Sequence, residues 1–181
     1  PEEVAAAFDH LEQAGKVRHF GGSNQNPMMM ELLKTAVKQP LKVNQLQLSA
    51  AFTPSFEAGF HVNMEGPKAA VRDGSVFEYC RLTDTVIQAW SVLQHGYFKG
   101  NFVGKEEFAA LNHVLTDLAK KYQVTPTAIA LAWVLRYPGK VQAVIGTTKP
   151  KHVLEAGKAA TVTLTRKEWY QIYLAAGNDL P

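Results

Sequence analysis

Four times along this chain a short apolar run of strand length gives way to a longer stretch with helical spacing, and that alternation constrains the fold more than any other feature. The runs fall at 17–20, 43–49, 85–91 and 141–145. Strands that alternate with helices pair in parallel and are joined by right-handed crossovers. The expected class is therefore α/β, with four parallel βα units and two extra helices. In such sheets ligands gather at the carboxyl ends of the strands. Those ends carry Ser23 and Asn24, Gln45 and Gln47, Trp90 and Ser91, then Thr147 and Thr148.

Taken in order, Val4, Phe8 and Leu11 recur at helical spacing as far as Gly15, a natural helix stop. Asn26-Pro27 reads as an N-cap with proline in the first turn, opening a helix to about Val37 in which Met28, Met29 and Met30 are expected to fill core. In the second strand, alternation puts Val43, Gln45, Gln47 and Ser49 on one face and Asn44, Leu46 and Leu48 on the other. Residues 50–74 have no clean period and contain two prolines and three glycines, so they read as a long functional loop. Phe52, Phe56 and Phe60 within it are expected to line a substrate pocket.

Further helices are expected at 75–82 and 106–122, from Thr125-Pro126 to Pro138, at 150–158, and from Thr165 to about Ala176. Ser75 with Glu78, and Thr165 with Glu168, have capping-box spacing. Trp133, Tyr137, Trp169 and Tyr170 lie in helical patterns and read as packing aromatics.

With 181 residues, 46% hydrophobic and 19% charged, the chain suits a single domain over 1–181. Its net charge of +3 is spread over scattered lysines and arginines, without the basic cluster that nucleic-acid binding needs. The lone cysteine, Cys80, excludes an internal disulfide framework and reads as a small buried hydrophobe. No apolar run reaches the length of a membrane span, and Pro1-Glu2-Glu3 lacks the basic start of a signal peptide. A cytoplasmic protein is expected. His61 and His95 sit in loops, but no histidine pair has metal-ligand spacing, and no structural metal is expected.

One stretch points to a ligand. At 144–152 an apolar run breaks at Gly146, presents Thr147, Thr148, Lys149, Lys151 and His152, and enters a helix at Pro150. Unpaired N–H groups and the positive end of the helix dipole suit a phosphate there. The alternative reading is an ordinary βα turn with solvated lysines.

Five separated segments, namely Gly15 to Asn24, Val43-Asn44-Gln45, Gln88-Ala89-Trp90-Ser91, Ile145-Gly146-Thr147-Thr148 with Pro150, and Leu164 to Tyr170, together resemble the second half of an aldo-keto reductase. Within that family the segments resemble the bacterial YdhF-like oxidoreductases. The resemblance implies the second half of a TIM (β/α)8 barrel and a nicotinamide cofactor, NADP rather than NAD. It assigns Ser23, Asn24 and Gln45 to the nicotinamide carboxamide, Trp90 to stacking on the ring, and Ser91 with the backbone near Leu93 to the pyrophosphate. Thr147, Thr148 and Lys149, with Lys151 and His152, would meet the adenosine 2′-phosphate, and Glu155 the adenine side. Gly22, Gly146, His152 and Ala156 depart from the family pattern, Gly22 in a way expected to loosen its strand.

The family's catalytic Asp, Tyr, Lys and His belong to the first barrel half, upstream of Pro1, so the resemblance implies no catalytic residue in this chain. The expected function is the cofactor-binding half of an NADP-dependent reductase acting on a small-molecule carbonyl substrate, with the 181-residue chain alone inactive. The alternative is a non-catalytic half barrel that binds nucleotide or assembles, with another chain or a second copy, through its open edges.

Overall fold

The computed structural model describes residues 1–60, 75–96 and 99–179, with the side chains of 58–60 and 75 excepted. His61, the ring of Phe60 and the Ser75 hydroxyl therefore lie outside the described residues. The elements run α1 (Glu2–Gln13), β1 (Phe20–Ser23), α2 (Pro27–Lys34), β2 (Leu41–Gln47), α3 (Pro54–Phe60), α4 (Ser75–Leu82), β3 (Val86–Trp90), α5 (Ala109–Tyr122), α6 (Pro126–Leu135), β4 (Val141–Ala143), α7 (Pro150–Gly157) and α8 (Arg166–Ala175). The four strands form one parallel sheet in the order β1-β2-β3-β4. Sequential parallel order with a helix in each crossover is the arrangement of half a βα barrel.

Two boundaries depart from expectation. β1 lies three residues later than the run at 17–20, because Gly21 and Gly22 are used in the strand instead of ending it. Gly21 pairs with Val43 where the register shifts after Phe20, and a Cβ at Gly21 would stand 2.2 Å from the Val43 carbonyl oxygen. Only a residue without a side chain allows that approach. The stretch read as a long loop contains α3. Its signal is Thr53-Pro54 with Glu57 four residues after the threonine, and the Thr53 hydroxyl donates to the Glu57 carboxylate.

The core lies on the helix side of the sheet. Leu46 and Leu48 of β2 and Ile87 and Ala89 of β3 belong to one buried cluster with Leu111 and Leu115 of α5 and the apolar side chains of α6. α6 is buried continuously from Ala128 to Val134, as its nearly unbroken apolar sequence demands. Phe56 of α3 is 1% exposed and sits among Phe77, Tyr137, Trp133, Trp169 and Tyr173, with centroids 5.2 to 6.3 Å away. It is a core ring, which corrects its expected place in a substrate pocket. Trp133 and Trp169 stack at 4.8 Å, and each indole N–H donates to the other residue's carbonyl oxygen at 3.0 and 3.1 Å. Cys80 is buried as expected, and burial pushes its thiol pKa up.

The methionines divide. Met30 is buried, but Met28 and Met29 are 74% and 47% exposed, so two of the three do not fill core. Leu32 of α2 and Val153 and Leu154 of α7 are also exposed. Among the described residues no helix is long and apolar enough to cross a membrane.

Candidate functional site

The second strand places its polar residues on two different surfaces. Asn44 is fully buried; its amide donates to the Gln25 carbonyl at 2.8 Å and its Oδ1 accepts from the Gln25 N–H at 3.3 Å, pinning the turn after β1. Gln45 faces the other way. It pairs in register with Ser23 on one side and Gln88 on the other, and Gln88 pairs with Gln142. The side chains follow the register: Gln45 Nε2 donates to Gln88 Oε1 at 3.4 Å, Gln88 Nε2 to Gln142 Oε1 at 3.2 Å, and Ser23 Oγ to the Gln45 carbonyl at 3.2 Å. This polar row crosses the face that would be the inside of a barrel.

At the carboxyl edge two side chains are aimed by unusual backbone. Asn24 and Ser91, the residues just past β1 and β3, have φ of 52° and 51°. The left-handed region is unfavourable for residues with a side chain, asparagine being the best tolerated, and such positions gather at functional sites. Asn24 is held there by its N–H donating to the Gln45 carbonyl at 2.8 Å. Its Oδ1 accepts from the Trp90 indole N–H at 3.4 Å, so the ends of β1 and β3 meet across β2.

From Trp90 a cavity of about 530 Å³ runs toward α7. Trp90, Ser91 and Leu93 line one side, and Thr147, His152 and Glu155 the other. These six expected residues are thus brought together. Ser23, Asn24 and Gln45 stand beside the Trp90 end, joined to it by the hydrogen bonds above. Thr148, Lys149 and Lys151 do not line the cavity; they lie exposed at its α7 end. There the Thr147 hydroxyl accepts from the Lys149 N–H at 3.2 Å and lies 3.4 Å from His152 Nδ1, while Lys151 pairs with Glu155 at 3.9 Å. α7 has no side-chain N-cap, in contrast to α2, α6 and α8, whose first N–H groups are met by Asn26, Thr125 and Thr165.

The structure adds Gln94, Asn101 and Thr127 to the cavity wall. Gln94 and Asn101 come from the loop after β3. Ser49 Oγ donates to the Gln94 carbonyl at 2.5 Å, and an isolated bridge pairs Gln94 with Asn101. Asn112 of α5 clamps the rest of that loop. Its Oδ1 accepts from the Gly104 N–H at 2.7 Å, and its amide donates to the carbonyls of Phe102, Lys105 and Phe108 at 2.9 to 3.1 Å. Asn112→Ala leaves these groups without their partner and is expected to cost about 1.5 kcal/mol. Faster hydrogen exchange at Gly104, with the sheet amides unchanged, is the expected reading; unchanged exchange at Gly104 would discount the clamp.

An open-edged four-stranded βα sheet with a cavity of mixed polar and apolar lining at its carboxyl edge defines half of a barrel protein, and the cavity lies where such folds place their ligands. The sequence profile of the aldo/keto reductase family matches residues 1–175, and the chain belongs to that family. It is 33% identical over 181 residues to the 6-dehydroglucose reductase of Agrobacterium fabrum and 32% identical over 182 residues to the oxidoreductase YdhF of Escherichia coli, covering 99% of this chain and 54% of each relative. It spans about half the length of these curated relatives. Among solved structures it resembles the thermostable aldo-keto reductase Tm1743, with a TM-score of 0.69 at 22% identity over 96% of this chain and 54% of that one. It also resembles an aldo-keto reductase from Klebsiella pneumoniae in complex with NADPH, with a TM-score of 0.70 at 20% identity over 94% and 52%. The fold is that of an aldo-keto reductase barrel, here its half with four parallel strands.

Proposed function

We propose that the cavity from Trp90 to His152 holds NADP and that this chain is the cofactor-binding half of an aldo-keto reductase acting on a small carbonyl compound. The observation that carries the reading is that an indole and two hydroxyls, those of Trp90, Ser91 and Thr147, line one cavity flanked at one end by the Asn24 and Gln45 amides and at the other by the cationic start of α7. The residues fit the group. Asn24, Gln45 and Ser23 offer both donors and acceptors to a carboxamide, and Trp90 offers a broad ring face. The uncapped start of α7, with Thr147, Lys149 and Lys151 around it, suits a phosphate. The Klebsiella relative of the same fold was solved with NADPH, which favours the same cofactor here.

When bound, the reduced cofactor would supply the hydride for carbonyl reduction, and this chain's residues orient it and hold its phosphates. Among the described cavity-lining residues there is no tyrosine or lysine to act as a proton donor. We therefore expect the 181-residue chain to bind cofactor without turning substrate over. Fluorescence titration tests the binding: NADPH is expected to quench tryptophan emission and to bind at least about tenfold tighter than NADH. The double replacement Thr147→Ala with Lys149→Ala should remove that preference while leaving NADH binding in place. Equal affinities for the two nucleotides in the unaltered chain would sink the NADP assignment.

The exposed Met28, Leu32, Val153 and Leu154 favour a second reading, assembly through the open edges. They lie on α2 and α7, the helices that follow the two edge strands. Sedimentation of the chain distinguishes a monomer from a paired half barrel.

A further inference from the structure

A second cavity, of about 350 Å³, lies away from the nucleotide cavity. Its walls come from the end of α4, the end of α6 and the start of α8, and the first two of these lead directly into the amino ends of β3 and β4. Arg81, Arg136 and Arg166 line it together with Glu78, and Trp169 and Tyr170 supply an aromatic wall. The two rings meet edge to face at 5.2 Å.

The charges of this cleft are unsatisfied in both senses. None of the three guanidinium groups forms an ion pair among the described residues, although Glu78 lines the same cavity. The Glu78 Oε2 atom is buried and receives no hydrogen bond among the described residues. Two of the arginines are nevertheless held. Arg136 Nε donates to the Leu164 carbonyl at 2.9 Å, which fixes the plane of its guanidinium and leaves its terminal nitrogens uncommitted. The Arg81 stem lies over Gly139, where a Cβ would come within 3.4 Å of it. A buried carboxylate oxygen without a donor is costly, and guanidinium forks match the oxygens of a phosphate.

We propose that this cleft binds a small phosphate ester that carries hydroxyl groups, a sugar phosphate in chemical class. The phosphate lies among the three arginines, a hydroxyl meets the Glu78 carboxylate where it lines the cavity, and the carbon face of the sugar rests on Tyr170 beside the edge of Trp169. The cavity volume matches a ligand of that size. The site is independent of the NADP reading, since no residue is shared between the two cavities.

Isothermal titration calorimetry of the whole 181-residue chain tests it, with ribose 5-phosphate, inorganic phosphate and ribose as probes. Ribose 5-phosphate is expected to bind one site at least about tenfold more tightly than inorganic phosphate, and ribose not to bind. Arg81→Gln with Arg166→Gln should weaken ribose 5-phosphate about a hundredfold, two lost charge-assisted contacts at about tenfold each. Glu78→Gln should weaken ribose 5-phosphate about tenfold and leave inorganic phosphate unchanged. The Thr147→Ala, Lys149→Ala chain, altered in the nucleotide cavity, reports whether ribose 5-phosphate binds there instead; it should bind ribose 5-phosphate with the affinity of the unaltered chain, and weakened binding would overturn the proposal. Circular dichroism and thermal unfolding establish that each variant is folded. No saturable heat with ribose 5-phosphate, undiminished binding in the arginine double variant, or equal affinity for ribose 5-phosphate and inorganic phosphate would each overturn the proposal.

Discussion

Gly21→Ala is expected to destabilise the chain by about 3 kcal/mol, at the upper end of the usual cost of overpacking, whereas Gly22→Ala costs under about 1 kcal/mol. The two glycines are adjacent in one strand, and the difference lies in what a methyl group would meet. At Gly21 the new Cβ would be 2.2 Å from the Val43 carbonyl oxygen and 2.7 Å from the Val43 Cβ, both parts of the neighbouring strand. Backbone in a paired strand cannot yield without breaking the ladder that joins β1 to β2. At Gly22 the nearest atom is Gln25 Cγ at 2.7 Å. That side chain can rotate away, giving up one exposed hydrogen bond from Gln25 Nε2 to the Ser23 carbonyl. Urea denaturation of the two variants checks the contrast in midpoint. Equal midpoints would mean that β1 does not approach β2 as closely as described. The consequence reaches the site, because β1 carries Ser23 and Asn24 to the edge where Trp90 stands.

The same strand marks where the sequence is readable and where it is not. The alternation of apolar runs with helical spacing foretold four parallel strands, because each crossover helix must bury one face on the sheet. The position of β1 is not legible locally, because Val-Arg-His-Phe alternates like a strand and Gly-Gly looks like its end. The deciding contact is with Val43, more than twenty positions away, and no local pattern contains it. α3 is harder to read: Thr53, Pro54 and Glu57 carry a helix-start signal and Phe52, Phe56 and Phe60 fall four residues apart, but Gly59 within it and the glycines beyond it obscure the period. Residues set at strand ends, such as Trp90, Ser91 and Thr147, were legible from topology alone. Gln94, Asn101 and Thr127 were not, since they reach the cavity through a loop shaped by Asn112 and by the packing of α6. The cleft lined by Arg81, Arg136 and Arg166 was also invisible, as its arginines come from three elements with nothing local to connect them.

The Thr165–Glu168 capping box was legible, but its partners were not, and they make Glu168 the focus of the largest electrostatic effect expected here. Glu168 is 7% exposed. Its carboxylate accepts from Lys121 Nζ at 2.5 Å, from the Tyr122 hydroxyl at 2.9 Å, and from the N–H and hydroxyl of Thr165 at 2.8 Å each. Burial alone would raise its pKa, yet Lys121, the Thr165 backbone and hydroxyl, and Tyr122 together hold it down from 4.5 to about 2. A depressed folded-state value means the carboxylate contributes stability that is fully present above pH 4.5 and is lost as the pH falls toward 2. The shift corresponds to about 3 kcal/mol at neutral pH.

Glu168→Gln keeps an oxygen for the Thr165 N–H but removes the charge. It should therefore cost about 2 kcal/mol at pH 7, where Glu168→Ala, which also breaks the cap and strips Lys121 of its partner, costs about 3 kcal/mol. The pH dependence separates charge from packing. Between pH 7 and 5 the gap between the unaltered chain and Glu168→Gln should stay constant; below 4.5 it should close steadily as Glu168 takes up its proton. Urea denaturation at intervals from pH 7 to pH 3 measures that gap. A gap that stays the same at pH 3 would mean that the amide is resented for its shape and not for its missing charge. Because Lys121 and Tyr122 belong to the last turn of α5 and Glu168 to the first turn of α8, the closing gap reports how firmly those two helices are tied beneath the sheet that carries the cavity.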